Sequence, residues 1–348
     1  MNNVSNGCHV AIVGATGMVG QEFIKILLQR QFPLASLQLY ASDRSAGKKV
    51  FVGHQEIVVK ETANDSFDSV DIALFSAGSE TSKHFAPLAA KAGALVIDNS
   101  AAWRMDLRVP LVVPEVNAED IKKHKGIIAN PNCSTIQMVV ALYPLHKVNP
   151  IKRITVATYQ SVSGTGVAAV EELTKQAKTV LEGGNVVPHV YAHQIAFNLL
   201  PEIDVFLENG YTKEEWKLVE ETRKIMHAEH IAISATCVRV PVFVSHSEAI
   251  QVEFTDYMPP DEARSILSKA PGVKVLDDPN VSLYPQPWLA VGTDEVYVGR
   301  IRSDASYVNG LVMWVVSDNI RKGAALNAVQ IAEEAVKCGW VRQQGNNK

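Results

Sequence analysis

An α/β chain in two parts, a doubly wound parallel sheet followed by a mixed α+β region, is what the sequence predicts. Three observations carry it. Short β-rich runs alternate with helical stretches through about residue 147. A glycine turn, "GATGMVG" from Gly14 to Gly20, joins the first such strand to the first such helix. Beyond residue 147 the pattern changes to long β-rich tracts. A length of 348 residues suits two domains of ordinary size.

Val10 to Val13 is a β-rich run, and Gln21 to Arg30 carries Phe23, Ile24, Leu27 and Leu28 on one stripe, so strand, turn and helix follow in order. "SLQLYASDRSAG" reads as a second strand entering a polar turn. "SVDIALFSAGS" (69–79) is a strand ending in small residues, and Glu80 to Lys91 a helix. "ALVIDNSA" (94–101) and Gly126 to Ala129 supply two more strands, and Met138 to Lys147 a helix. In the second part, "RITVATYQSVSG" (153–164) is a strand running into a glycine turn. "ISATCVRVPVFVSHSEAIQVEFT" (233–255) is a long β tract in which Ile250, Val252 and Phe254 alternate with Gln251 and Glu253, the mark of a half-buried strand. "GRIRSD" and "NGLVMWVVSDN" add strands, "VSLYPQPWLAV" (281–291) is expected as a long surface loop, and Ala324 to Lys337 as an amphipathic helix.

Composition narrows the function. The chain is 47% hydrophobic and 20% charged with a formal net charge of −4, as expected of a soluble globular protein. No basic excess points to nucleic acid, and no apolar run approaches a membrane span. The N-terminal "MNNVSNGCHV" lacks a secretory pattern, so a reducing cytoplasm is expected. Cys8, Cys133, Cys237 and Cys338 are widely spaced and lack zinc-type pairing. His189 and His193 are four apart, but Pro188 adjoins them and no third ligand is evident, so no metal site is expected.

The glycine turn lies where a dinucleotide's pyrophosphate binds. Gly14, Gly17 and Gly20 let backbone come close, and the helix N-terminus offers amide N–H groups and a positive dipole. The same spacing also serves a tight βα turn with no ligand. At the second strand's end, Ala41 stands where an NAD site usually carries an acid, and Arg44 with Ser42 and Ser45 suits a 2′-phosphate. NADP is favoured, although Asp43 would repel a phosphate that it faced.

"NPNCSTIQ" (130–137) puts a cysteine on a loop at the mouth of a helix. Asn132 is an N-cap, which places Cys133 in the first turn, where orphan N–H groups and the dipole favour a thiolate. Most free cysteines are instead buried and inert. A thiolate attacking an acyl group needs a base, and His246 in "VSHSEA", at a break in the β tract, is the best histidine. A lone histidine is more often structural. Arg239 interrupts the apolar "ATCVRVPVFV" and must be paired, by an anionic substrate, by an internal salt bridge, or by solvent at the rim. "TKEEWKLVEETRKIM" (212–226) opens with a capping box, Thr212 and Glu215, leaving Glu214 and Lys217 on one face; their bland reading is a surface ion pair.

Together "GATGMVG", "SDRSAGKK", "NSAAWRMD", "VPEVN", "NPNCSTIQ", "TYQSVSG", "CVRVPV", "SHSE" and "SDNIRKGAALNAVQIAEE" stand in the order found in aspartate-semialdehyde dehydrogenases, and the chain resembles that family from about residue 9 to 337. The resemblance implies NADPH-dependent reduction of L-aspartyl 4-phosphate to aspartate 4-semialdehyde and phosphate, on the way to lysine, threonine and methionine. It implies a Rossmann-type cofactor domain (1–132 and 319–348) and a mixed α+β catalytic and dimerisation domain (133–318), in a homodimer or homotetramer. Cys133 would be the nucleophile, His246 the general acid/base, and Gln160 the residue orienting the acyl group. Arg239 would hold the substrate carboxylate, Glu214 its amino group, and Arg104 and Lys217 the phosphate, with Asn132 also at the substrate. Gly14, Thr16, Gly17, Met18, Val19, Arg44, Ser45, Ser163, Gly164 and Asn319 would line the cofactor.

Rival readings need fewer of these residues. N-Acetylglutamyl-phosphate reductase shares the cysteine–histidine logic, but Glu214 with Arg239 suits a free amino acid. An NADP-binding regulator or redox sensor would need neither Arg239 nor Gln160, and a thiol hydrolase would not need the dinucleotide turn.

Overall fold

Hydrophobic alternation places one parallel sheet between two apolar layers in the first part of the chain. The computed structural model describes residues 7–341. The chain divides into two compact units, one of Met1–Pro131 with Ala324–Lys348, the other of Asn132–Gly323. The first contains β1 (Cys8–Val13), β2 (Leu34–Ala41), β3 (Lys49–Val52), β4 (Gln55–Val58), β5 (Lys60–Glu61), β6 (Ile72–Phe75), β7 (Leu95–Asp98) and β8 (Ile127–Ala129). Its six-stranded sheet has the order β5-β2-β1-β6-β7-β8 and is parallel throughout. β3 and β4 form a separate antiparallel hairpin that the periodicity does not announce.

The helices are α1 (Met18–Gln29), α2 (Ser79–Ala92), the short α3 (Pro114–Asn117) and, from the far end of the chain, a helix over Leu326–Lys337. Along β1, Val10 and Ile12 join one core with Phe23, Ile26 and Leu27 of α1 and Leu326, Val329 and Ile331 of that last helix. Ala11 and Val13 face the other way, into a core with Ala86 and Ala89 of α2. Strands buried on both faces in this manner are the signature of a doubly wound sheet.

The second unit contains β9 (Ile151–Gln160), β10 (Ala232–Arg239), β11 (His246–Phe254), β12 (Val273–Val275), β13 (Val296–Ser303) and β14 (Gly310–Ser317). Its helices are α4 (Cys133–Val148), α5 (Val167–Leu181), α6 (Lys213–Met226), α7 (Pro260–Leu267) and α8 (Pro287–Ala290); the Leu326–Lys337 helix is α9. The sheet order is β10-β9-β11-β14-β13-β12, parallel between β9 and β10 and between β12 and β13, antiparallel elsewhere. α4, α6 and α7 pack on the sheet. The expected 233–255 tract is two strands, broken over 240–245, and the expected 281–291 loop contains the short α8.

Alternation along β9 buries Ile154, Val156, Thr158 and Gln160 and half-exposes Thr155, Ala157 and Tyr159. The same parity on β11 buries His246, Glu248, Ile250, Val252 and Phe254. β9 and β10 therefore end, and β11 begins, with polar side chains at one end of the sheet: Gln160 is opposite Arg239, and His246 is opposite Ser317.

Candidate active site

In the first unit the glycine turn has the geometry a pyrophosphate needs. Gly14 has φ +91°, and a Cβ there would fall 2.2 Å from the Ser76 carbonyl oxygen. A Cβ on Gly20 would fall 2.2 Å from the Gly14 oxygen, so that glycine lets α1 press on the turn. Gly17 is the N-cap of α1 and supplies no side-chain cap, leaving the first amides to another acceptor. Thr16, Met18 and Val19 are half-buried around it. These residues fit a dinucleotide.

β2 ends at Ala41 without an acid, then turns over Asp43–Ser45. The Asp43 carboxylate accepts the Arg44 backbone N–H at 2.8 Å, while Arg44 is exposed and Lys48 Nζ lies 3.4 Å from Ser45 Oγ. Arg104, also in this unit, is buried; its Nη2 donates to the Asn99 carbonyl at 2.7 Å and its Nε to the Asn130 carbonyl at 3.0 Å.

The second unit holds the cysteine. Cys133 is the first residue of α4 and half-buried, and none of the described cysteines is in a disulfide. Asn132 is the N-cap: its Oδ1 accepts from the amides of Ser134 (3.0 Å) and Thr135 (3.3 Å). Gly323 makes room for the cysteine, since a Cβ there would lie 2.9 Å from Cys133 Cβ. Burial first, then Asp71, pushes the Cys8 thiol up to about 11, and burial with Glu214 pushes Cys237 higher still.

Glu214 is no surface residue. It is buried, and its Oε1 accepts from Asn132 Nδ2 (2.8 Å) and Gln160 Nε2 (3.2 Å). Its Oε2 pairs with Lys217 Nζ at 3.0 Å, and Lys217 also reaches Asp204 at 2.9 Å. Burial opposes the charge, yet Lys217, Asn132 and Gln160 hold the Glu214 carboxyl below the usual carboxylate range. The surface ion pair expected from helical spacing is thus a buried one. Its neighbour Glu215 does serve the capping box, accepting the Thr212 amide at 2.7 Å while Thr212 Oγ1 accepts the Glu215 amide.

Ser161, which the sequence does not single out, joins the remaining groups. Its backbone N–H donates to His246 Nδ1 at 3.1 Å, and its carbonyl accepts from Arg239 Nη1 at 2.7 Å. An amide can only donate, so Nδ1 is the accepting nitrogen and the neutral ring carries its proton on Nε2. Nε2 is buried and has no protein partner. Burial first, then the Arg239 charge, pushes His246 down to about 3, so the ring is neutral.

Arg239 is 5% exposed, and among the described residues no carboxylate pairs with it. Its Nε has no partner, and its guanidinium lies 6.0 Å from the Tyr191 ring centroid. Gly164 backs onto both groups: a Cβ there would sit 3.1 Å from Arg239 Nη1 and 3.3 Å from His246 Nε2. Asn319 Oδ1 accepts from Ser161 Oγ, Ser163 Oγ and the Ser245 amide, at 3.2, 3.1 and 2.9 Å. Ser163, Gly164 and Asn319 are therefore built around His246.

A hydrogen-bonded chain runs from the cap of Cys133 through Asn132 and Glu214 to Gln160, and the next residue along the backbone, Ser161, bonds His246 and Arg239. The arrangement offers a cysteine at a helix N-terminus, a neutral imidazole N–H, and a buried cation for an anion. Arg104 and the glycine turn belong to the other unit. Glu248 is fully buried beside the Gln137 side chain, and burial raises its pKa far above the ordinary value despite that neighbour. No group of three or more metal-ligating side chains occurs among the described residues, and no helix there is long and apolar enough to cross a membrane.

Comparison with known proteins matches residues 9–124 to the semialdehyde dehydrogenase NAD binding domain and 142–322 to the semialdehyde dehydrogenase dimerisation domain. The aspartate-semialdehyde dehydrogenase of Aquifex aeolicus is 59% identical over 96% of this chain and 100% of its own. The structure of Vibrio cholerae aspartate semialdehyde dehydrogenase II complexed with ASA superposes with a TM-score of 0.93 at 46% identity, covering 96% of this chain and 99% of that one. The Candida albicans aspartate semialdehyde dehydrogenase with NADP gives a TM-score of 0.75 at 28% identity, covering 95% and 98%. The chain, an oxidoreductase with a nicotinamide-cofactor fold, belongs to the aspartate-semialdehyde dehydrogenase family.

Proposed function

We propose that this protein catalyses the NADPH-dependent reductive dephosphorylation of L-aspartyl 4-phosphate to L-aspartate 4-semialdehyde and phosphate, through an acyl-thioester on Cys133. The observation that carries the reading is Arg239, a buried cation without a carboxylate partner, tied through the backbone of Ser161 to a neutral histidine, while the neighbouring Gln160 reaches the cap of Cys133 through Glu214. A small anionic acyl substrate answers all of these at once.

The helix N-terminus favours the Cys133 thiolate, which attacks the acyl carbon. The C–S bond forms, the carbonyl oxygen takes the electron pair, and its return expels phosphate. Gln160 orients the acyl group. Arg239 holds the α-carboxylate, and Glu214 receives the ammonium group in place of one of its present donors. Lys217 and Arg104 serve the phosphate. A bound nicotinamide supplies the hydride that reduces the thioester carbonyl. Gly14, Thr16, Gly17, Met18 and Val19, with Arg44 and Ser45, would hold the dinucleotide, and Ser163, Gly164 and Asn319 would complete its surroundings. His246 gives a hydrogen bond from Nε2–H to the tetrahedral oxygen anion, which then collapses to aldehyde with Cys133 leaving. The protein works as a homodimer or homotetramer assembled through the second unit, in the cytoplasm, on the route to lysine (through diaminopimelate), threonine and methionine. The discontinuous cofactor domain comprises 1–132 and 319–348, and the catalytic domain 133–318.

The reverse reaction tests this. Aspartate semialdehyde, phosphate and NADP⁺ should give phosphate-dependent NADPH absorbance that is lost in Cys133→Ala, with NAD⁺ as the control for Arg44. A folded, NADP-binding protein that gives no signal sinks the assignment, and N-acetylglutamate semialdehyde is then the next substrate to try.

A further inference from the structure

A helix N-cap leaves its own N–H to be satisfied, and a capping box does this with a Glu or Gln at the third helical position. α6 is built that way, with Glu215 accepting the Thr212 amide at 2.7 Å. α4 cannot be. Its third residue is Thr135, whose Oγ1 has no partner at all. The Asn132 amide is instead taken at 2.7 Å by Glu221 Oε2, from α6.

Glu221 is 1% exposed, a position where a carboxylate is costly unless hydrogen-bonded. It stands seven residues after Glu214, two turns on along the same face of α6. Asn132 is thus gripped on both nitrogens by one helix: the backbone amide by Glu221 and the side-chain amide, at 2.8 Å, by Glu214. Its Oδ1 is left to cap Ser134 and Thr135. Two of the hydrogen bonds that orient the cap residue next to Cys133 thus come from α6.

We propose that Glu221 is a positioning residue for the nucleophile, completing the capping box of α4 from a different helix. The proposal rests on the reading of Cys133 as the nucleophile. It predicts that hydrogen-bond acceptance, not charge, is what matters at 221. It also predicts that loss of the acceptor slows chemistry more than it weakens substrate binding.

The test compares wild type, Glu221→Gln and Glu221→Ala in the full-length protein. Three readouts are taken: kcat and KM for phosphate-dependent semialdehyde oxidation, the pH profile of Cys133 alkylation by iodoacetamide without substrate, and Tm. Gln keeps an acceptor oxygen and the side-chain length. Glu221→Ala should lower kcat roughly ten- to a hundredfold, the scale of a misplaced reacting group, with KM changed far less. Its alkylation profile should move to higher pH as the cap loosens. Glu221→Gln should restore kcat to within about threefold, a small part of the loss expected from misplacement. Two results overturn the proposal: an Ala variant with lowered Tm but wild-type kcat and alkylation, or a Gln variant as impaired as Ala. If wild type itself does not oxidise the semialdehyde, the substrate assignment fails, while the alkylation profiles still decide what Glu221 does.

Discussion

Replacing His246 by Gln should flatten the acid limb of the stability curve. The ring lies fully buried beside Arg239, and its pKa is pushed from 6.5 down to about 3. Unfolding returns it to water, where it takes up a proton below 6.5. A depressed folded-state pKa means stability present above the unfolded value and lost as pH falls toward the folded one. Between pH 7 and pH 5 the unfolded chain gains up to one proton at this site that the native protein refuses, which integrates to about 2 kcal/mol. His246→Gln has no such group, so its loss of stability over the same interval should be smaller by that amount. Urea unfolding of both proteins at pH 7 and pH 5 measures the difference. If wild type and variant lose the same stability, the ring is not held neutral in the fold, and the Nε2–H proton donor inferred from the Ser161 amide is wrong.

Other expectations concern neighbouring residues. Glu248 has a raised pKa because of burial, so its contribution is complete at low pH and is lost as pH rises; Glu248→Gln should gain stability over wild type by up to about 1.4 kcal/mol per pH unit above the ordinary carboxylate range, read as a widening Tm difference. Gly164→Ala adds a methyl 3.1 Å from Arg239 Nη1 and 3.3 Å from His246 Nε2; about 1–3 kcal/mol of stability should be lost, and kcat/KM should fall roughly tenfold or more, by denaturation and steady-state assay. Unchanged kinetics would place those two groups away from the reaction. Arg44→Ala should raise KM for NADP⁺ roughly tenfold, the scale of one charged hydrogen bond, and leave NAD⁺ alone; an equal effect on both would remove Arg44 from the 2′-phosphate.

Much of this was legible in the residues. Alternating strands and helices announced the parallel sheet, and Asn132 before an apolar run announced the cap of α4, because both are local patterns. The capping box at Thr212 and Glu215 was readable for the same reason. The burial of Glu214 was not, since helical spacing places it beside Lys217 but cannot say that Asn132 and Gln160 meet its carboxylate. Parity held one unused signal. Ile250, Val252 and Phe254 mark the buried face of β11, and two steps back along the same parity lie Glu248 and His246. Ser161 left no trace, because the partners of its main chain lie 78 and 85 residues away. The β3–β4 hairpin has no legible alternation because its strands are four residues each and expose apolar as well as polar side chains, Phe51 and Val58 among them.

That division of labour at Ser161 has a consequence for how the site tolerates change. The Ser161 N–H and C=O, which every residue but proline possesses, bond His246 and Arg239, and the Ser161 hydroxyl adds a second contact to His246 Nδ1 at 3.0 Å. Ser161 is fully buried, and alanine there removes the hydroxyl's contacts to His246, Ser163 and Asn319 while keeping the main-chain ones. An alanine scan would therefore read the hydroxyl's share at this position and miss the main-chain coupling of the proton donor to the anion-binding cation. Sequence drift can alter the side chain there while the coupling persists, so long as the turn after β9 keeps its shape.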